Sequence, residues 1–289
     1  MEKKNAPKKQ SQVKEVWRRL KKNKSAILGL FLFTFFLFIA IFGELLIPYS
    51  ESIDVVLSQR MQKPSAEHWF GTDNFGRDMF ARCLHSAKFS ILIGVVTSFS
   101  SAIVGTFLGA VVSYFGGWVD TLIMRIMDVL TAIPTLLLTL VVVATLGANV
   151  QNLILAIGIA NIPGFCRSAR ANMMGVSGQE FIEAARAYGA SNMRVLVKYI
   201  IPNAIGPIIV QTTMAMSGAL LSASSMSYLG LGIEPPTPEW GGLLNAGKEF
   251  IRKAPYLLYF PGLCIVLASL GINLLGDGLR DALDPKLKD

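Results

Sequence analysis

The side chains best suited to chemistry fall in three places along the chain. Glu67, His68, Asp73, Asp78 and His85 could ligate a metal. The two histidines are far apart, however, and no HxxH or HxxE spacing joins them, so no metal site is expected. Gly71 and Gly76 instead frame turns in which Asp73 hydrogen-bonds the backbone. Arg125 and Asp128 stand three residues apart in an apolar segment, where ionisable groups are costly and either pair or face water. As an i, i+3 pair they would neutralise one another on one helix face, lining the inner mouth of a pathway or sitting at headgroup level. Thr213, Ser217 and Ser224 recur at helical spacing with the adaptable Met214 beside them, a face that either lines a cavity or packs on another helix. None of this is catalytic equipment. The string GxxxxGK[ST] that cradles nucleotide phosphates is absent, so any ATP would be hydrolysed by another chain. An intramembrane protease would need a GxSxG-like serine with a membrane histidine, or paired membrane aspartates. Both histidines lie outside the apolar segments and Asp128 has no acidic mate. Cys83, Cys166 and Cys264 are scattered and read as inert buried thiols.

The elements that must position these residues are membrane helices. Of the 289 residues, 52% are hydrophobic and 16% charged, and the mean hydropathy is +0.50. Apolar runs at 26–48, 89–113, 122–146, 150–166, 205–230 and 256–276 suit six spans, the fourth interrupted by Pro163-Gly164. The runs are continuous rather than alternating, which excludes a β-barrel. The first is too long for a signal peptide and lacks a small-residue cleavage site. Pro134 should kink the third span, and Gly105 and Gly109 form a GxxxG close-packing element in the second. The net charge of +8 is concentrated in residues 1–24, which hold ten Lys/Arg against Glu2 and Glu15. A basic block leading straight into a first span is an orientation element that can touch anionic headgroups, not a nucleic-acid arm. With the N-terminus inside, the inner segments carry 18 Lys/Arg and the outer ones 8, so both termini are expected in the cytoplasm.

The inner segment between spans four and five is patterned as a helical hairpin. Ser177-Gly178-Gln179-Glu180 reads as a capping box. Phe181, Ala184, Ala185 and Tyr188 give the following helix an apolar face suited to a groove on another protein. Gly189 can end that helix in the left-handed conformation, Ser191 or Asn192 can cap a second helix, and Pro202 should stop it.

The order Glu183-Ala184-Ala185, three residues, Gly189, then Ile201-Pro202 resembles the EAA loop of ABC-importer permeases. Where the family pattern has Ile and Leu three places and one place before the proline, this chain has Tyr199 and Ile201, both still apolar. Three further strings resemble the dipeptide, oligopeptide and nickel branch of that family. They are Gly71-Thr72-Asp73 with Gly76-Arg77-Asp78, the proline-rich loop 232–241, and the segment 273–285. The overall likeness is to the second, C-type, permease subunit of a dipeptide or oligopeptide importer, with nickel importers as the alternative. A secondary transporter would show an inverted repeat, and none is visible.

The resemblance implies an all-α integral membrane protein with the type I ABC-importer permease fold: six transmembrane helices and a cytoplasmic coupling hairpin. Residues 1–25 would be a basic cytoplasmic tail, 26–48 the first transmembrane helix, and 49–88 an extracytoplasmic segment whose 78–88 part is an interfacial helix. Residues 89–276 would be a five-helix core including the hairpin 178–203, and 277–289 a cytoplasmic tail. ATPase coupling would fall to Glu180, Glu183, Ala184, Ala185, Tyr188, Gly189 and Pro202. The translocation pathway would be lined by Arg125, Asp128, Pro134, Thr213, Met214, Ser217 and Ser224. Asp73, Arg77, Asp78, Glu234, Glu239 and Trp240 would form the external mouth. The implied partners are a sister permease, two ATPase subunits that hold ATP and Mg, an extracytoplasmic solute-binding protein, membrane lipid and a peptide substrate. No cofactor on this chain and no nucleic acid are implied. The hydroxyl face of span five can hydrogen-bond peptide backbone, and no ring of like charges suits a bare cation, which favours peptides over nickel.

Overall fold

The computed structural model describes residues 12–283, which are almost entirely helical. In order these are α1 (Gln12–Leu20), α2 (Lys24–Leu46), α3 (Tyr49–Ile53), α4 (Met79–Phe115), α5 (Gly117–Ala132), α6 (Thr135–Leu146), α7 (Val150–Ser177), α8 (Glu180–Ala187), α9 (Asn192–Val195), α10 (Ile201–Tyr228), α11 (Trp240–Gly247) and α12 (Tyr256–Leu283). Among them α2, α4, α7, the continuous α9–α10 unit and α12 are long and apolar enough to cross a membrane. The α5–α6 pair makes a sixth span if its two bent halves are counted together. The basic tail before Gln12 and the residues after Leu283 lie outside the described residues.

Helix α4 is the axis of the bundle, packing on α7, α10 and α2, while α12 packs on α2 and α10. Its closest approach is to α7. A Cβ added at Gly105 would stand 2.4 Å from the Phe165 Cβ, and one at Gly109 would stand 2.6 Å from the Ala169 Cβ. The GxxxG pattern therefore works as expected, letting two backbones meet where apolar burial gives no advantage over lipid. Helices α4 and α7 run in parallel, so their C-termini share one end of the bundle with α8, the hairpin end. The first turns of α4 and α12 share the opposite, loop end with α3 and α11.

Three local expectations are corrected. Pro134 does more than kink its span: α5 and α6 meet at 85°. A proline disfavours helical backbone at the residue before it, and Ile133 is extended (φ −89°, ψ 123°), with Pro134 preceding α6 as its N-cap residue. Pro163-Gly164 does not interrupt α7, which runs for 28 residues to Ser177, because Pro163 is buried and the flanking backbone is held against α4. Residues 78–88 are not an interfacial helix. Asp78 caps α4 by accepting from the Ala81 N–H at 2.8 Å, and the first turns of α4 are buried almost all round. The polar segment 49–78 and α11 fold over them, a covering that composition alone does not reveal.

Candidate functional site

Helix α8 projects from the hairpin end on a single apolar root. Ile182 is fully buried, packed with Met173 and Val176 of α7 and with Val195, Leu196 and Ile200 beyond the turn. Ala185 is half-buried, while Phe181, Ala184, Glu180, Glu183 and Arg186 are exposed and Tyr188 is 93% exposed. The turn after α8 is a complete Schellman motif. The Gly189 N–H donates to the Arg186 carbonyl at 2.9 Å and the Ala190 N–H to the Ala185 carbonyl at 3.1 Å, with Gly189 at φ +82°. A side chain at 189 would meet open space, so the need for glycine there is conformational and not steric. Ser191 caps the next helix, accepting from the Arg194 N–H at 3.4 Å.

Two predicted features of this hairpin are absent. Ser177 does not form a capping box: its hydroxyl donates back to the Met174 carbonyl at 2.8 Å inside α7, and Gln179 caps α8 without a side-chain hydrogen bond. The continuous α7 has claimed Ser177 for its own last turn. Pro202 does not stop the second helix either. Leu196–Ile200 widens into a π turn in which the Ile201 N–H reaches the Leu196 carbonyl, and the helix then continues as α10. The wider turn relieves the clash between the Pro202 ring and the preceding turn. The hairpin is thus one short helix hinged to a rod running from Asn192 to Tyr228, 37 residues or about 55 Å long.

The expected Arg125–Asp128 pair does not form. Asp128 accepts from Arg167 of α7 at 3.0 Å, and the same guanidinium reaches Thr131 at 2.6 Å. One turn along α7, Arg170 grips Asp120 through two bonds of 2.8 and 2.6 Å. Two ion pairs therefore tie α5 to α7 at the hairpin end, while Arg125 is exposed. Asp120, Arg167 and Arg170 were not singled out from the sequence. The sign available was opposite charge at the start of one segment and the end of the next antiparallel one. Pro134 is exposed at the α5–α6 break, and the only buried residue of α5 is Met127.

Along α10 the expected small-polar face is turned largely inward. Ser217 is buried, and its hydroxyl lies 2.5 Å from that of Ser269 on α12. Ser224 is buried where α11 crosses, close enough that a Cβ at Gly241 would meet its backbone at 2.3 Å. Thr213 and Met214 are half-buried against Gly276 of α12. Ser217 and Ser224 are therefore placed in helix packing within the chain and not along an open surface, because small residues let α11 and α12 approach closely.

The residues expected at an external mouth are mostly interior. Asp73, 5% exposed, accepts from the Phe75 and Arg77 N–H groups at 2.8 and 3.0 Å and from the Arg77 side chain at 2.7 Å. Arg82 stands 3.6 Å away and donates to the Ser52 carbonyl at 3.2 Å. Asp78 also receives His68 at 2.8 Å. Glu239 is buried as the cap of α11, accepting from Gly242 at 2.9 Å and Ser90 at 3.1 Å. Trp240 is wholly buried, its indole N–H donating to the Cys83 carbonyl at 2.9 Å and its ring meeting Phe36 edge-on. Of the six, only Glu234 is exposed, on the loop that leads into Pro235-Pro236. A polar composition concealed a second core, because these carboxylates and guanidinia satisfy one another.

Comparison with known proteins bears on both ends. The family described as binding-protein-dependent transport system inner membrane component matches residues 101–289. That described as the N-terminal TM domain of oligopeptide transport permease C matches residues 11–64. The chain is 46% identical to the dipeptide transport system permease protein DppC of Alkalihalophilus pseudofirmus over 95% of this chain and 90% of that one. It is 44% identical to the glutathione transport system permease protein GsiD of Escherichia coli O6:K15:H31, again over 95% of this chain and 90% of that one. The fold is similar to that of a chain in a structure of inward facing conformations of the MetNI methionine ABC transporter. There the TM-score is 0.59 at 17% identity, covering 71% of this chain and 98% of the other.

Proposed function

Since this chain belongs to the family of inner membrane components of binding-protein-dependent transport systems, we propose that it is the C-type permease subunit of a peptide importer. It forms a translocation pathway for di- or oligopeptides with a sister permease, and separate ATPase subunits drive it. The relatives named for dipeptide and glutathione transport support a peptide as the solute. The excess of Lys/Arg at the hairpin end supports placing that end and both termini in the cytoplasm, the loop end facing a solute-binding protein.

The observation that carries this reading is the exposure of α8. Phe181 and Tyr188 present apolar and aromatic surface, Ala184 allows close approach, and Glu183 and Glu180 supply charge, all on a helix rooted by Ile182. Exposed aromatic anchors of this kind are what a partner's groove takes up. ATP and Mg are held by the partner. When the ATPase pair closes, α8 moves with it, and the Gly189 turn passes the displacement to the α9–α10 rod and so to the bundle. The pathway runs beside the α5–α6 break, where Arg125, Asp128 and Pro134 are exposed, with Thr213 and Met214 at its margin. The sister permease covers the rest of the exposed α5–α6 face. Crosslinking from Ala184→Cys to an ATPase subunit in the assembled transporter tests the docking. Labelling of that cysteine by an impermeant reagent added outside intact cells would overturn the orientation.

A further inference from the structure

A cleft of about 260 Å³ lies at the hairpin end where α1, the α1–α2 turn and the last turns of α12 meet. Its walls are built firmly. Val16 and Leu20 of α1 pack on Leu275, Leu279 and Ala282 of α12. Gly278 lets α2 press in, since a Cβ there would stand 2.2 Å from that of Ala26. Helix α1 is thereby pinned across the end of α12 by its apolar residues, and its cations line the cleft.

Arg18, Arg19 and Lys22 line this cleft against one acid, Asp281. Two of these groups already have partners: Arg19 donates to Glu15 at 2.9 Å and Asp281 accepts from Asn23 at 3.1 Å. Among the described residues Arg18 and Lys22 make no ion pair. The cleft also sits at a definite depth. On α2 the exposed apolar belt begins just beyond it, at Ile27, Leu28 and Phe31. Trp17 is exposed beside it with the Lys21 ammonium 5.1 Å over its ring. An exposed tryptophan among basic residues at the start of an apolar helix marks the headgroup level of a bilayer. The volume is several times the roughly 30 Å³ that a water occupies, enough for a phosphodiester group.

We propose that this cleft binds the phosphate of an anionic phospholipid headgroup, with Arg18 and Lys22 as its donors and the acyl chains lying along Ile27, Leu28 and Phe31. A basic pocket at a helix junction beside the apolar belt has the chemistry such lipids recognise. A soluble anion would match the charge alone and would gain nothing from the adjoining apolar face. The site is independent of the solute transported.

The test uses the full-length chain in nanodiscs of phosphatidylethanolamine with a minor fraction of phosphatidylglycerol, with retained lipid counted by native mass spectrometry. We expect selective retention of phosphatidylglycerol, reduced by roughly ten- to thirty-fold in R18Q/K22Q. Retention should be unchanged in K248Q, a cation at the loop end that stands over the Tyr228 ring. The charge-conserving R18K/K22R should retain the lipid. The wild-type chain also tests the proposal without any variant: retention must fall as salt rises. Salt-independent retention, or equal retention in R18Q/K22Q, overturns the site. Displacement of the lipid by millimolar inorganic phosphate would show a soluble-anion site and overturn the lipid assignment.

Discussion

At the loop end, Asp73, Arg77, Arg82, Glu239 and Trp240 are all buried, and most of their polar atoms find partners inside the chain. At the hairpin end, Glu183, Arg186 and Tyr188 point outward, and Ile182 is the fully buried root of α8. Both ends are rich in polar residues. At the loop end this cluster is largely satisfied within the chain, tying α3, α4 and α11 together. At the hairpin end Asp120 and Asp128 pair with Arg170 and Arg167, but the charged and aromatic side chains of α8 stay exposed. Paired buried charges hold a structure in register because either one alone is strongly unfavourable. Exposed charges and aromatics add little to stability but set partner choice. The contrast suits a permease whose one end is a fixed cap and whose other end is moved.

The comparison can be broken most directly at Asp73. Asp73→Ala leaves Arg77 and Arg82 buried without their carboxylate, and we expect a loss of about 3–5 kcal/mol. This should appear as a large drop in membrane-inserted yield and in the thermal midpoint of the purified chain. A midpoint within a degree or two of wild type would show that the loop end is not self-supporting.

A smaller effect is expected at Gly189. Valine there is forced to a positive φ, costing about 1–2 kcal/mol, and the angle between α8 and α9 must change. The chain should still insert, but ATP hydrolysis by the assembled transporter should no longer track uptake. Wild-type coupling in Gly189→Val would show that the turn does not transmit motion.

Ser217→Ala sharpens the account of α10. Removing its hydrogen bond to Ser269 should cost about 0.5–1.5 kcal/mol. Uptake per folded molecule should be unchanged, as for a packing residue. A selective loss of peptide uptake at full stability would return Ser217 to the pathway.

The smallest change in stability is expected at Tyr188, which is 93% exposed. Tyr188→Ala should lie within about 0.5 kcal/mol of wild type in the isolated chain. Its binding to the ATPase subunit should nonetheless weaken by more than roughly thirty-fold, as for an aromatic anchor worth 2 kcal/mol or more. Unchanged ATPase pull-down in Tyr188→Ala would mean that the contact lies elsewhere on α8.

The amino-acid sequence by itself determined what depends on near neighbours. The continuous apolar runs set the spans, Gly105 and Gly109 the close approach of α4 to α7, and Gly189 with Ser191 the turn and the restart after α8. These follow from backbone preference and helical period, which act over a few residues. Tertiary structure alone decided what depends on distant partners. Asp128 could be matched with Arg125 three residues away, but the fold brings Arg167 to it from 39 positions further on. Ser177 and Pro202 carry the marks of a helix start and a helix stop, yet α7 takes Ser177 into its last turn and the α9–α10 rod runs through Pro202, because helices packed along their length outweigh a single local preference. The polar stretch from His68 to Asp78 has the composition of a surface loop. Its Asp73 and Arg77 are nonetheless buried, because they neutralise one another only when folded, a compensation visible in three dimensions and not along the chain.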